Sequence, residues 1–276
     1  MLVSFVKYEG AGNDFILIDD REELFSADAR LIAALCDRHF GIGADGLMTL
    51  QRSVEMDCSM RYYNADGSPG EMCGNGARCI CRYGYENGLA GDVQRVETTA
   101  GLVTGWRVDK RMYRIRLNDP CNLRLDGKAL IDGTAWDYAY VELGNPGIPH
   151  AVVPVKNLRD FDTAKLRELG RRLRYYPEFP KGANVNFYEI IGADHIYERT
   201  YERGVEDFTY ACGTGTGSVV MVLTLLGKVS GHQVRVDMTG GQLMVDVERE
   251  GNQVTNLYLT GPTNIVCKGE ITDEAL

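Results

Sequence analysis

A duplication constrains this chain more than any other feature of it. Cys73 in EMCGNGARC (71–79) and Cys212 in YACGTGTGS (210–218) are each followed by Gly-x-Gly. Gly101 of TTAGLV lies 28 residues beyond the first cysteine, and Gly240 of MTGGQL lies 28 beyond the second. RYYNADGSPGEMC leads into one motif and RTYERGVEDFTYAC into the other, while RIRLNDP and LYLTGP close the pattern 47 and 50 residues downstream. Four markers in one order at nearly one spacing describe a repeated unit: strand, turn, Cys-Gly-x-Gly, helix, strand, glycine turn, strand. The 276 residues suffice for two such domains with a core each, and without low-complexity segments or long charged linkers the two are expected in close contact.

Two glycines after a cysteine let the backbone turn and approach a ligand where a Cβ would obstruct it. Where they open a helix, the first-turn N–H groups and the helix dipole attract an anion and favour thiolate over thiol. Each repeat thus supplies one activated sulfur and half of a carboxylate cradle. Two such sulfurs on opposite faces of one sp³ carbon suit inversion: a thiolate removes a proton, a thiol returns one from the other side, and the roles exchange in reverse. The α-proton of an amino acid is weakly acidic, so donors preorganised around its carboxylate and exclusion of water must stabilise the carbanion.

Blander readings compete with this one. A lone cysteine is more often core packing, but two in matched contexts favour catalysis. Cys73, Cys79 and Cys81 make a poor zinc site, since C-x₅-C-x-C is not C-x₂-C and no second pair completes four ligands. GTGTGS lacks the G-x-G-x-x-G of a dinucleotide turn, and no G-K-[ST] supports a phosphate loop. Neither a metal nor a cofactor is expected.

A formal net charge of −9 argues against nucleic acid and anionic lipid as partners and favours a small molecule. The longest apolar run, SVVMVLTLL (218–226), is about half the ~20 residues of a membrane span. MLVSFVKYEG has neither the basic start nor the apolar stretch of a signal peptide, so a cytoplasmic location is expected. The eight cysteines then read mostly as small buried hydrophobes rather than disulfide partners.

Alternating or β-branched runs predict strands at 3–8, 15–18, 60–64, 93–99 and 112–117, then at 138–143, 150–155, 187–191, 196–202, 233–238, 242–248 and 254–260. Helices are predicted over SADARLIAALCDRHF, with Ser26 as N-cap and Gly41 as stop, and over GARCICRYGYENG, ending on Gly88. Two more are predicted at 163–173 and 216–226.

GAGNDFILID near the start, RHFGIGADGL (38–47), NADGS with EMCGNGARC (64–79), ERG (202–204) and ACGTGTGS (211–218) together resemble the diaminopimelate epimerase family. The resemblance covers essentially the whole chain. It implies an α+β fold of two pseudosymmetric domains, each a mostly antiparallel β-sheet or barrel curled around a central α-helix, with the active site in the cleft between them. It places residues 1–118 with 264–276 in one domain and 119–263 in the other, and implies a homodimer. Carried over position by position, Cys73 and Cys212 are the acid/base thiols. Gly74 and Asn75 hold the reacting carboxylate from one side, Gly213 and Thr214 from the other. Asn13, Asn64, Asn184, Glu202 and Arg203 resemble the remaining substrate contacts, and His150 a supporting histidine.

On their residue types alone, Asn13 and Asn64 equally suit turns, Arg203 a solvated surface, Glu202 a structural ion pair and His150 a half-buried packing role. An Arg held in a buried distal pocket would be costly without an acid, which favours a substrate with a second carboxylate. Two positions depart from the family pattern. Ile148 of GNPGIPH stands where members often have a substrate-contacting Asn, and Gly46 stands where some have Gln. A cofactor-independent racemase of another amino acid, such as histidine, is therefore the alternative. A two-lobed protein that only binds an amino acid is a third reading, which retention of both thiols disfavours.

Overall fold

The computed structural model describes residues 3–70 and 72–272; Glu71 of the first cysteine motif and residues 273–276 of the expected C-terminal return lie outside them. The chain divides into two units: the described residues up to Ile115 with those from Thr260 onward, and Arg116–Leu259. The first unit opens with β1 (Val3–Gly10), β2 (Asn13–Asp19), α1 (Ala29–Cys36), β3 (Gly46–Gln51), β4 (Cys58–Asn64) and β5 (Pro69–Gly70). It continues through α2 (Gly74–Glu86), β6 (Val93–Thr98), β7 (Gly101–Arg107) and β8 (Met112–Arg116). The second holds β9 (Pro120–Ile131), β10 (Thr134–Leu143), β11 (Ile148–Pro154), α3 (Thr163–Arg174), β12 (Asn184–Gly192), β13 (His195–Glu202) and β14 (Asp207–Phe208). Then follow α4 (Gly213–Leu225), β15 (Val234–Met238), β16 (Gly241–Glu250) and β17 (Gln253–Pro262), whose last residues re-enter the first unit before β18 (Asn264–Ile271).

Strand pairing in the two units follows one plan, which makes the fold α+β and internally repeated. β1 lies antiparallel between β2 and β18, as β10 lies between β11 and β9. The β2–β3 and β11–β12 pairs are parallel, with α1 and α3 in the respective connections. β4 pairs antiparallel with β3 and β5 and parallel with β6, and β13 does the same with β12, β14 and β15. Register then equates individual residues. Phe15 opposite Gly46 answers to His150 opposite Asn184, and Met48 opposite Tyr62 answers to Asn186 opposite Thr200.

Each sheet wraps a buried helix. In α4, residues 215–224 are buried on every side, as an all-round apolar sequence requires. Its counterpart α2 is less apolar yet equally enclosed, with Arg78, Cys79, Ile80 and Cys81 all inside. Strands supply alternate residues to the helix: Gln94, Val96 and Thr98 from β6, and Val234, Val236 and Met238 from β15. Gln94 reaches past the apolar side chains to donate to the Cys81 carbonyl at 2.6 Å. The outer helices cover further clusters, Ile32, Leu35 and Cys36 with Ile16, Ile18 and Leu47 in one unit, Leu166 and Leu173 with Val153, Val185 and Phe187 in the other.

The first predicted helix is shorter than the periodicity suggests. Its N-cap is Asp28, whose carboxylate accepts from the N–H groups of Arg30 and Leu31, and not Ser26. It ends at Cys36, because the Asp37 side chain captures the N–H groups of His39 and Phe40 instead of letting the helix run on. The exposed carbonyls of Leu35 and Cys36 are then capped by the N–H groups of residues 42–44. Six strands lie outside the predicted runs and are found only in the structure: β3, β7, β9 and β18, and the two-residue β5 and β14.

Candidate functional site

Both cysteines occupy the same local structure. Each is the N-cap of its central helix in extended conformation, φ −125° and ψ 114° for Cys73, φ −122° and ψ 103° for Cys212. Each carbonyl accepts the first helical bond, from Ala77 at 2.8 Å and from Thr216 at 2.9 Å. Each sulfur thus stands beside the first-turn N–H groups and the positive end of the dipole. Both helices also stop alike, at Gly88 and Gly227 with φ near +67° and +66°, each fifteen residues beyond its cysteine.

In the first unit Cys73 Sγ lies 3.6 Å from Asn13 Oδ1, which also accepts from Asn75 Nδ2 at 3.2 Å. Asn13 in turn donates to Asp45 Oδ2 at 2.8 Å, and Asp45 is tied to Arg38. Asn75 Oδ1 takes a 2.9 Å bond from Arg78, whose guanidinium is wholly buried, with no acceptor for Nε and Nη1 among the described residues. Asn13, Cys73, Gly74 and Asn75 therefore come together. Asn64 ends β4 and serves its turn, accepting from Gly67 and donating through Nδ2 to Ser68 Oγ at 3.0 Å. Gly46 pairs with Asn64 and has no room for a side chain: a Cβ would lie 2.6 Å from the Tyr62 ring.

In the second unit Cys212 is 8 % exposed. Burial foremost, then the Glu202 carboxylate, pushes its thiol well above the ordinary range, against the opposing pull of the Gly215 N–H and the Thr214 hydroxyl at 3.8 Å. Asn184 is buried and its Oδ1 accepts the backbone N–H of Arg203 at 2.8 Å, joining β12 to the end of β13. Glu202 accepts from Thr209 Oγ1 at 2.8 Å. His150 is fully buried, and burial with the nearby Arg203 charge lowers it to about 3, so its ring is neutral. The expectation of a buried Arg203 is corrected: the side chain is exposed, donating to the Lys181 carbonyl at 3.2 Å, because the turn after β13 carries it to the surface.

Register explains Ile148. It occupies in the second unit the position of Asn13 in the first, two residues before the His150 that answers to Phe15. The polar arm that meets Cys73 from β2 has an apolar counterpart on β11.

Cys79 and Cys81 belong to the packed interior. Burial raises the Cys79 thiol to about 12, and Cys81 Sγ fills the space a Cβ at Gly105 would take. No cluster of three His, Cys, Asp or Glu suited to a metal occurs among the described residues, and none of their helices is long and apolar enough to cross a membrane.

The sequence profile of diaminopimelate epimerase matches residues 5–117 and 143–266. The chain belongs to the diaminopimelate epimerase family. It is 40 % identical to the diaminopimelate epimerase of Chlorobaculum tepidum over 266 residues, covering 95 % of this chain and 99 % of that one. To the enzyme of that name from Archaeoglobus fulgidus it is 39 % identical, over 98 % and 96 % of the two chains. A Bacillus anthracis protein of the PhzF phenazine-biosynthesis family shares the fold at a TM-score of 0.76 and 16 % identity, over 99 % of both chains. In this epimerase-family chain two groups next to the cysteines escaped the sequence reading. Arg78 sits inside the quoted motif but reads as a surface residue by type. Glu198 betrays itself only by parity, since Ile196, Glu198 and Thr200 share the buried face of β13.

Proposed function

We propose that this protein is a diaminopimelate epimerase, interconverting LL- and meso-2,6-diaminopimelate by proton transfer at one α-carbon, without pyridoxal phosphate or metal. The observation that carries the reading is the repeated geometry: two helices of one length, each beginning on a cysteine in the same extended conformation, on one strand plan. In the reaction one thiolate takes the α-proton, and the electron pair left on carbon delocalises into the α-carboxylate. The second thiol delivers its proton to the opposite face, leaving its own sulfur as the thiolate. Gly74 and Asn75 on one side and Gly213 and Thr214 on the other hold that carboxylate through first-turn donors.

Asn13, Asn64, Asn184, Glu202 and Arg203 bind the rest of the substrate, with His150 supporting. Exposure of Arg203 leaves its guanidinium available to a distal carboxylate, where a planar fork binds in two-point fashion. The reading includes a cytoplasmic homodimer, supported by likeness to the family and by the acidic composition.

Proton NMR of the protein with LL-diaminopimelate in D₂O tests the reaction. Loss of the α-proton signal with appearance of the meso isomer is expected; no exchange by reduced protein would refute it. Arg203→Ala is expected to lower kcat/KM for diaminopimelate by about 100-fold or more, as loss of a two-point ion pair does. Unchanged turnover would overturn the dicarboxylate assignment. Ile148 favours a second reading, racemisation of another amino acid, and the same exchange assay on L-histidine separates the two.

A further inference from the structure

The two units present their cysteines alike but surround them with different chemistry at equivalent positions. The first unit's sheet carries Phe15, Met48 and Met60, all buried and apolar, and its central helix carries the buried cation Arg78. In the second unit the corresponding positions are His150, Asn186 and Glu198, and the residue answering to Arg78 is Gly217. Glu198 is 1 % exposed and accepts from Thr216 Oγ1 at 2.8 Å and Thr200 Oγ1 at 3.3 Å. Thr200 also donates to Asn186 Oδ1 at 3.0 Å, and Asn186 Nδ2 lies 3.3 Å from His150 Nδ1. That carboxamide presses on the first turn of α4: a Cβ at Gly215 would lie 2.2 Å from Asn186 Oδ1 and 3.2 Å from Cys212 Sγ.

We infer that Arg78 and Glu198 polarise the two half-sites in opposite senses, so that in the ligand-free protein the Cys73 thiol, which donates to Asn13 Oδ1 while protonated, ionises at lower pH than the Cys212 thiol. Arginine keeps its proton in proteins, and Arg78 keeps its charge where water does not screen it. Its anionic neighbours are Glu9 of β1 and, when ionised, the thiols of Cys73, Cys79 and Cys81; of these Cys73 is the half-exposed one at the helix mouth. Further out, Asp14 and Asp45 are matched by Lys7 and Arg38. Around Cys212 the charged groups are acids, Glu202 and Glu198 of β13, while His150 is neutral. Arg203 stands exposed to solvent, and Lys181 is paired with Glu142 at 2.6 Å. A second anion at Cys212 would have no buried cation to meet it. Arg78 and Glu198 are thus positioning residues that act through the sulfurs. The inference rests on the two-thiol reading above and adds which thiol ionises first.

Iodoacetamide alkylation of the ligand-free protein, followed cysteine by cysteine by peptide mass spectrometry from pH 5.5 to 10, tests this. The pH midpoint of each rate profile is the readout, because it is independent of how accessible each sulfur is. Cys73 is expected to have its midpoint at least about one pH unit below Cys212. Glu198→Gln, which keeps the volume and one of the two accepting oxygens, should lower the Cys212 midpoint and leave that of Cys73 in place. Arg78→Met should raise the Cys73 midpoint, and Arg78→Lys should restore part of the difference. Coincident or reversed midpoints in the unmodified protein overturn the inference whether or not the Arg78 variants fold, as does a Cys212 midpoint indifferent to Glu198→Gln. Separated midpoints without α-proton exchange would refute the reaction and not the polarity; exchange with coincident midpoints would refute the polarity alone.

Discussion

Glu198 and His150 lie in one buried network yet link stability to pH with opposite signs. Burial raises Glu198 from 4.5 to about 7, so the folded chain holds a proton that the unfolded chain has released. Its contribution is complete below the unfolded value and is lost as pH rises through 7, about 3 kcal/mol over the window. His150 falls from 6.5 to about 3, so the unfolded chain binds a proton that the native ring refuses, and stability rises with pH between those values. The two slopes oppose each other between 4.5 and 6.5. Glu198→Gln removes only the falling one. Its stability relative to the parent is expected to improve by up to about 3 kcal/mol between pH 4.5 and 7.5, measured by urea unfolding at both values. Equal differences at the two pH values would show that Glu198 does not titrate in this range. The thiols themselves were legible in the sequence, because a duplicated Cys-Gly-x-Gly is rare and local. Glu198 was not, because a charged residue in a strand declares its side only once the register is known.

At the scale of the element, the third residue of each central helix is a glycine for different reasons. A Cβ at Gly76 would meet Met48 Sδ at 2.6 Å, the middle of a flexible unbranched side chain. At Gly215 it would meet the Asn186 carboxamide at 2.2 Å, which is held by Thr200 and by the Ala151 and Asn184 carbonyls. Gly76→Ala should therefore cost less than about 1 kcal/mol, the gain in helix propensity offsetting the shift of Met48. Gly215→Ala should cost about 2–3 kcal/mol and displace Cys212 Sγ, lowering activity. Thermal unfolding of the two variants compares them directly; equal losses would mean that the Asn186 network yields as readily as a methionine. Helices α2 to α4 were readable from their apolar content, α2 also from its stop at Gly88. The start of α1 was not, since Ser26 and Asp28 are both good caps and only the chain's path decides which is used.

For the whole molecule, the two units carry their own cores beneath α1 and α3. Ile32 packs in one cluster and Leu173 in the other, with no member in common. Each truncation to Ala is expected to cost about 2–5 kcal/mol, and the double variant to cost the sum within about 0.5 kcal/mol. A larger deviation in equilibrium unfolding would reveal coupling that separate clusters do not provide. The repeat announced two domains and the family resemblance a C-terminal return to the first; β18 pairs with β1, and residues from Thr260 onward group with the first unit.

What the sequence by itself determined is what local chemistry determines: two cysteines at helix starts, glycines that open and stop the helix, the α+β alternation and the family. Each depends on residues a few positions apart. What only the tertiary structure decided depends on which distant residues meet. Tertiary packing sets Met48 beside one sulfur and Glu198 and Asn186 beside the other, makes Ile148 the counterpart of Asn13, and buries Arg78 with no acceptor for Nε and Nη1 among the described residues. A repeat in sequence gives two like frames; the field around each sulfur is set by side chains that the repeat does not preserve.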